Sequence, residues 1–491
     1  MFESAEIGHK LDKATYRREV PKLRRRLLDL QYELLKESRF QAIILVNGVD
    51  GAGKGETVNL LNEWMDPRHI RTHAFGETTD TERGHPEMWR FWRALPPKGR
   101  IGILFGSWYT DPILQRVMGH EKRAEFARRL EQVRHFERML AAEGALLVKL
   151  WFHLSHKAMK RRLKQLSAHK STAWRVGPEE WDHYERYRKF VDVSEDALRE
   201  TSTGEAPWDV IEGSNHEYRS LTAGKLLADA LASRLEGKPV AIAPPAPPPK
   251  PPIDKRTLLR SFDYGRSLGN DEYAKRLAKA QARLNALTRS KKMRRRSIVM
   301  VFEGMDAAGK GSTIRRITQA MDARFYRVIP VAAPTEEELA QPYLWRFWRN
   351  VPGHGRAAIF DRSWYGRVLV ERVEGYCTQL DWMRAYHEIN DFEEQLDRAG
   401  AIVVKFWLAI TPGEQLRRFR SREETAYKRF KITPEDWRNR RKWPQYERAV
   451  NDMVERTSSD IAPWHIVASD DKHFARIEAI ERLCGALGKA L

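Results

Sequence analysis

Val301-Phe302-Glu303-Gly304-Met305-Asp306-Ala307-Ala308-Gly309-Lys310-Gly311-Ser312-Thr313 follows the β-branched apolar run Ile298, Val299, Val301 and opens a helical pattern. Strand, glycine-rich turn, helix is the context a phosphate-binding loop needs. Successive backbone N–H groups in such a turn point inward and hold phosphate oxygens. The helix N-terminus behind them adds positive potential, and the lysine reaches the outer phosphates. The spacing Gly304-x4-Gly309-Lys310 fits, and Ala308, Gly309, Gly311 and Ser312 are the matching anion-cradle positions. The residue after the lysine, ordinarily a metal-ligating Ser or Thr, is Gly311. The loop carries Asp306 instead. A carboxylate beside phosphates makes sense if it binds Mg²⁺ or accepts a proton from an attacking phosphate.

A second, altered copy stands 256 residues earlier: Val46-Asn47-Gly48-Val49-Asp50-Gly51-Ala52-Gly53-Lys54-Gly55-Glu56-Thr57. The same offset links Trp89 to Trp345, Ser107 to Ser363, Lys149 to Lys405, Trp181 to Trp437 and Pro207-Trp208 to Pro463-Trp464. A repeat this long is a duplicated domain, because solenoid units run about 20–50 residues. The halves are expected at 1–235 and 257–491, with 236–256 between them. Eight of the 14 residues from Pro239 to Pro252 are proline, which predicts an extended, semi-rigid spacer.

Each half reads as alternating strands and helices. In the second half strands are expected at 297–303, 327–332, 357–360, 401–410 and 465–468, and helices at 382–399 and 434–457. Runs such as Ala401-Ile402-Val403-Val404 suit strands buried on both faces of a parallel sheet. The fold class is therefore α/β, two tandem domains of a parallel sheet flanked by helices. Amphipathic patterns at 16–38 and 272–290 predict helices packed outside each sheet. In Trp345-Arg346-Phe347-Trp348-Arg349 the tryptophans share a helix face and read as core.

The third strand of the second half ends Ile359-Phe360-Asp361-Arg362-Ser363-Trp364-Tyr365-Gly366-Arg367. A carboxylate at the end of an apolar strand beside a phosphate loop is the position that holds Mg²⁺ in nucleotide-dependent enzymes. Arg362, Arg367 and Arg372 are candidates for planar phosphate contacts. A later basic segment with Arg417, Arg418, Arg420, Arg422, Lys428, Arg429 and Lys431 suggests a lid that closes over phosphates. The first half has lost much of this. Asp361 is matched by Phe105, Arg362 by Gly106, Arg367 by Asp111, Glu371 by Gln115 and Arg422 by Leu166. Thr172 and Arg175 stand for Lys428 and Lys431. A phenyl ring has no oxygen to ligate Mg²⁺, so the first half is expected to keep the fold and not the chemistry.

The net charge of +20 calls for an acidic partner, and no nucleic-acid signature accompanies it. Cys377 and Cys484 have no metal-ligand spacing and fit a reducing compartment. The N-terminus lacks the basic and apolar regions of a secretory signal, and no apolar run approaches the ~18 residues of a membrane span. These features predict a cytoplasmic protein with neither a membrane nor nucleic acid as partner. Homo-oligomerisation is left open.

Gly304-Met-Asp-Ala-Ala-Gly-Lys-Gly311, Asp361-Arg-Ser-Trp-Tyr365, Lys428-Arg-Phe-Lys-Ile-Thr-Pro434 and Pro463-Trp464 together resemble the polyphosphate kinase 2 family. The resemblance covers both halves. It implies a P-loop kinase fold with a five-stranded parallel sheet and a helical lid. It also implies transfer of the terminal phosphoryl group of inorganic polyphosphate to a nucleotide, with AMP the acceptor in tandem-domain members. Lys310, Asp306, Asp361 and Arg362 match the family's loop and strand-end residues, and Arg422, Lys428 and Lys431 its basic lid positions. The metal implied is Mg²⁺, with Mn²⁺ as the alternative, near Asp306 and Asp361. The residues leave ADP or GDP as acceptor, an ATP-dependent small-molecule kinase, and a non-catalytic polyanion binder as rival readings.

Overall fold

The computed structural model describes residues 1–237 and 257–491. The proline-rich spacer lies outside the described residues, as do the side chains of Lys428 and Lys431. The chain divides into two compact units, each built round one five-stranded sheet.

In the first unit the strands are β1 (Ala42–Gly48), β2 (Ile70–Ala74), β3 (Ile101–Phe105), β4 (Leu146–His153) and β5 (Trp208–Glu212). Their spatial order is β2-β3-β1-β4-β5, all parallel. The second unit repeats this with β6 (Ser297–Gly304), β7 (Tyr326–Pro330), β8 (Ala357–Asp361), β9 (Ala401–Ala409) and β10 (Trp464–Ala468), ordered β7-β8-β6-β9-β10. The register repeats as well: Val46 faces Phe105, and Phe302 faces Asp361. β9 is buried along its whole length, as a strand with neighbours on both sides and helices on both faces must be.

The outer helices form at Lys13–Glu37 and Asn270–Thr288. They pack along the C-terminal helices His216–Glu236 and Lys472–Ala490. Leu23, Leu27 and Leu34 form the buried stripe of the first, at helical spacing. Trp348 is buried against Phe392, in keeping with a core role for the tryptophan block. The helix expected over 434–457 is broken. It divides into Pro434–Arg441 and Trp443–Thr457, because Pro444 in the first turn of the second piece has no N–H to continue the ladder. Among the described residues no helix is long and apolar enough to cross a membrane.

Both units contain the same buried ionic network. Lys405 Nζ on β9 donates to Glu393 Oε2 (2.7 Å), Tyr365 Oη (2.8 Å) and the Thr457 carbonyl (2.6 Å). Trp364 Nε1 donates to Glu393 Oε1 at 3.0 Å. Lys149, Glu137, Tyr109, Trp108 and Thr201 repeat it in the first unit. Burial pulls both lysines below the usual range, and the glutamates beside them oppose that shift. A network kept intact by the copy that has lost Asp361 belongs to the fold. Lys405→Ala strands the Glu393 charge, so it is expected to destabilise the second unit by about 3–5 kcal/mol. Urea unfolding checks this, and Lys149→Ala should cost the first unit a similar amount.

Candidate active site

β6 and β8 are neighbours, so their C-terminal ends place the glycine-rich loop beside Asp361. Gly304 turns the chain out of β6 at φ 153°, and a Cβ there would lie 2.7 Å from the Leu408 carbonyl. Only glycine fits so close to β9. Gly309 caps the helix Lys310–Thr318, whose first amides lack intrahelical acceptors. Lys310 curls back and donates to the Gly304 carbonyl at 2.7 Å. Burial, with the Arg362 charge, pulls its pKa down, and Asp306, Asp361 and Glu303 oppose that shift.

Arg418, expected in the lid, is instead a buried brace for the loop. It donates to the carbonyls of Ala307 (2.9 Å), Ala308 (3.2 Å), Ser469 (2.5 Å) and Asp470 (2.9 Å). The Ala308 N–H is used within the turn, donating to the Met305 carbonyl at 3.0 Å. Ala308 therefore shapes the cradle rather than offering it an amide. Ser312 Oγ donates to the Gly309 carbonyl at 2.9 Å.

Asp361 ends β8 with its carboxylate 3.9 Å from where a Cβ on Gly311 would lie. The absent side chain at Gly311 leaves space between loop and carboxylate. Arg362 follows with φ 65°, a left-handed conformation rare for a long side chain. Its guanidinium donates to Asp306 Oδ1 at 3.1 Å, while Asn439 Nδ2, from Pro434–Arg441, donates to Oδ2 at 2.9 Å. Asp306 therefore has both oxygens held, one from the strand end and one from the lid.

These residues separate two adjoining cavities. One, of about 670 Å³, is basic and is lined by the loop with Asp361, Arg315, Arg422 and Arg476. The other is smaller and partly apolar, lined by Met305, Leu369, Val370, Trp407 and Tyr446 with Glu303. Asp306 and Arg362 line both.

Two expected phosphate ligands do not join them. Arg367 Nε lies 3.1 Å from Glu371 Oε2. Arg372 pairs with Asp452 at 2.7 Å and stacks over Trp382. Each is held by a carboxylate and lines neither cavity. Of the basic lid residues Arg417, Arg418 and Arg422 line the basic cavity. Sequence reading missed Glu303, Asn439, Arg315 and Arg476. Glu303 had a signal, a charge inside an otherwise apolar strand. It accepts from Ser363 at 2.8 Å, and burial drives its carboxyl above the usual range against the pull of Lys310. The first copy has neutral Asn47 there, accepting from Ser107 at 2.8 Å.

The lysine of the first copy's loop makes the same return bond as Lys310 and adds two more. Lys54 Nζ donates to the carbonyls of Gly48 (2.5 Å) and Val49 (3.1 Å) and to Asp50 Oδ1 (3.3 Å). Asp50 also pairs with His183 at 2.7 Å, the residue that matches Asn439. Lys54 and His183 hold the Asp50 carboxyl far below the usual range against the effect of burial. Glu56, matching Ser312, takes Arg162 at 2.9 Å, Arg175 at 3.4 Å and Arg219 at 2.7 Å.

The polyphosphate kinase 2 family model matches residues 10–239 and 267–490. A polyphosphate:AMP phosphotransferase of Pseudomonas aeruginosa is 54% identical over 491 residues, covering 100% of this chain and 99% of that protein. A protein of the same name from Acinetobacter johnsonii is 37% identical over 465 residues, 93% of this chain and 94% of the relative. A crystal structure described as a putative polyphosphate kinase 2 from Pseudomonas aeruginosa superposes with a TM-score of 0.91 at 53% identity, over 100% of this chain and 99% of that one.

Proposed function

The chain belongs to the polyphosphate kinase 2 family, and from that premise we propose that it transfers the terminal phosphoryl group of inorganic polyphosphate to AMP, giving ADP. The observation that carries AMP as acceptor is the end-to-end match, both copies included, to relatives named for that reaction. The cleft supports the same reading. Its basic cavity suits a polyanion, and the partly apolar one beside it suits a nucleoside.

In this reading a phosphate oxygen of AMP attacks the terminal phosphorus of polyphosphate. The bond to the penultimate phosphate breaks, and the chain leaves one unit shorter. Such transfers depend on positioning and charge neutralisation more than on covalent help from the protein. The amides of Lys310 and Gly311 with the Lys310 ammonium hold the transferring phosphate. Arg362 stands at the junction of the cavities, placed to neutralise its equatorial oxygens, and Arg422 holds the donor chain. A phosphomonoester loses its second proton near pH ~6, so the attacking oxygen needs alignment rather than a base. Asp306, fixed by Arg362 and Asn439, sets that alignment.

The residues fit a divalent metal. Mg²⁺ takes one or two carboxylates and fills its other positions with phosphate oxygens and water. Asp361 is the carboxylate placed to hold Mg²⁺ or Mn²⁺, since both Asp306 oxygens are already bonded. When bound, the ion supplies charge neutralisation along the phosphates.

Purified protein with polyphosphate, Mg²⁺ and no ATP should convert AMP to ADP, followed by thin-layer chromatography. Faster turnover of ADP or GDP would shift the acceptor. No product until ATP is added would refute the donor. Because the donor is a long polyanion, its KM is expected to rise steeply between low and physiological salt. The KM for AMP should change much less.

A further inference from the structure

Glu56 stands at the second-copy position of Ser312, in the first turn of the helix Lys54–Trp64. A helix start favours an anion there. Three guanidiniums converge on this single carboxylate, those of Arg162, Arg175 and Arg219. The side chain of Arg219 is only 3% exposed, and its Nε has no hydrogen-bond partner among the described residues. A buried cation of this kind demands an anion beside it. The guanidinium lies directly on the phosphate loop: a Cβ on Gly53 would be 2.1 Å from Arg219 Cζ. The second copy has Ala475 at the matching position, and there the guanidinium beside the loop glycine is that of Arg418, whose Nη1 stands 3.9 Å from a Cβ position on Gly309. Lys54 Nζ bonds Asp50 as well as the Gly48 and Val49 carbonyls and does not line the cavity beside Glu56, and the Phe105 ring lies 3.9 Å from a Cβ position on Gly55, where the second copy has Asp361. The cavity in front of these groups measures about 390 Å³ and is lined by Glu56, Arg161, Arg162 and Arg219.

We propose that the first copy's loop is a phosphate-class anion site whose occupant is the chain's own Glu56 carboxylate, which closes it to polyphosphate and nucleotide. Loss of Asp361's counterpart removes the metal position, and Glu56 separately removes the anion position. The first copy is thus filled rather than merely eroded. Arg162, which matches the loop brace Arg418, has been diverted to hold the internal anion. The Glu56 site belongs to the first unit's loop, takes no part in the proposed chemistry, and does not depend on which nucleotide is the acceptor.

The test is tripolyphosphate binding to the full chain at low salt, by titration calorimetry. Glu56→Ser, which installs the second copy's residue, should bind one more equivalent than the unaltered protein. Glu56→Ser with Arg219→Ala should lose that extra equivalent. Without ligand, Glu56→Ser should melt earlier because Arg219 is left unpaired, and tripolyphosphate should restore the Tm. The rate of ADP formation should not change. Glu56→Gln, which drops the charge and keeps the shape, should gain the same site if the serine variant folds poorly. The proposal is overturned if a folded Glu56 variant gains no equivalent. It is overturned equally if the unaltered protein already binds an equivalent that Arg219→Ala removes. Either result can be read even if AMP proves not to be the acceptor.

Discussion

Asp361→Asn is expected to lower kcat by about 10³-fold or more, on the scale of removing a preorganised charge contact in an active site, with little change in unfolding midpoint. The amide keeps the shape of the carboxylate and loses the charge that would hold a divalent metal. Among the described residues no hydrogen bond to the Asp361 side chain is present, so its loss breaks none. Excess Mg²⁺ should recover little, because the missing ligand lies on the protein. Steady-state kinetics with polyphosphate and AMP, alongside urea unfolding, separates the two effects. Near-normal turnover would remove Asp361 from the mechanism.

Arg362→Gly carries the next largest effect, which falls on activity and leaves stability nearly unchanged. The variant installs the first copy's residue, since Gly106 matches Arg362 and has the same left-handed backbone, φ 70° against 65°. Holding a side-chain-bearing residue there costs about 1–3 kcal/mol. Glycine relieves that strain and gains freedom in the unfolded chain, so net stability should move by less than about 1 kcal/mol. Activity should fall by about 10²–10³-fold with the lost contact to the transferring phosphate. A strained residue retained in one copy and relaxed in the other is what a functional demand on that arginine leaves behind. If the variant unfolds early instead, Arg362 is a structural residue.

Much of this was legible because the chain holds its own control. β6 through β10 lie close to the expected spans, since β-branched runs buried on both faces leave few alternatives. The loop, Asp361 and Arg362 stand together as their order implied. Other features depend on distant partners. Arg372 looked like a phosphate ligand in a basic stretch, yet Asp452, 80 positions along, draws it away. Arg367 is taken up by Glu371 one turn on. Arg418 reads like its lid neighbours and differs only in which helix face is buried. Glu56 was in plain view as the one acidic substitution in the copied loop. Its meaning required Arg219, 163 residues further along, to be brought onto Gly53. The break near residue 442 was readable, as proline placed within an otherwise helical pattern marks such boundaries.

The central claim is that one copy carries the chemistry. Lys310→Ala and Lys54→Ala, compared in the same assay of ADP formation from polyphosphate and AMP, test it most directly. Lys310→Ala is expected to lose nearly all activity, and Lys54→Ala, in the copy that has Phe105 in place of Asp361, to keep most of it. Equal losses would contradict the central claim.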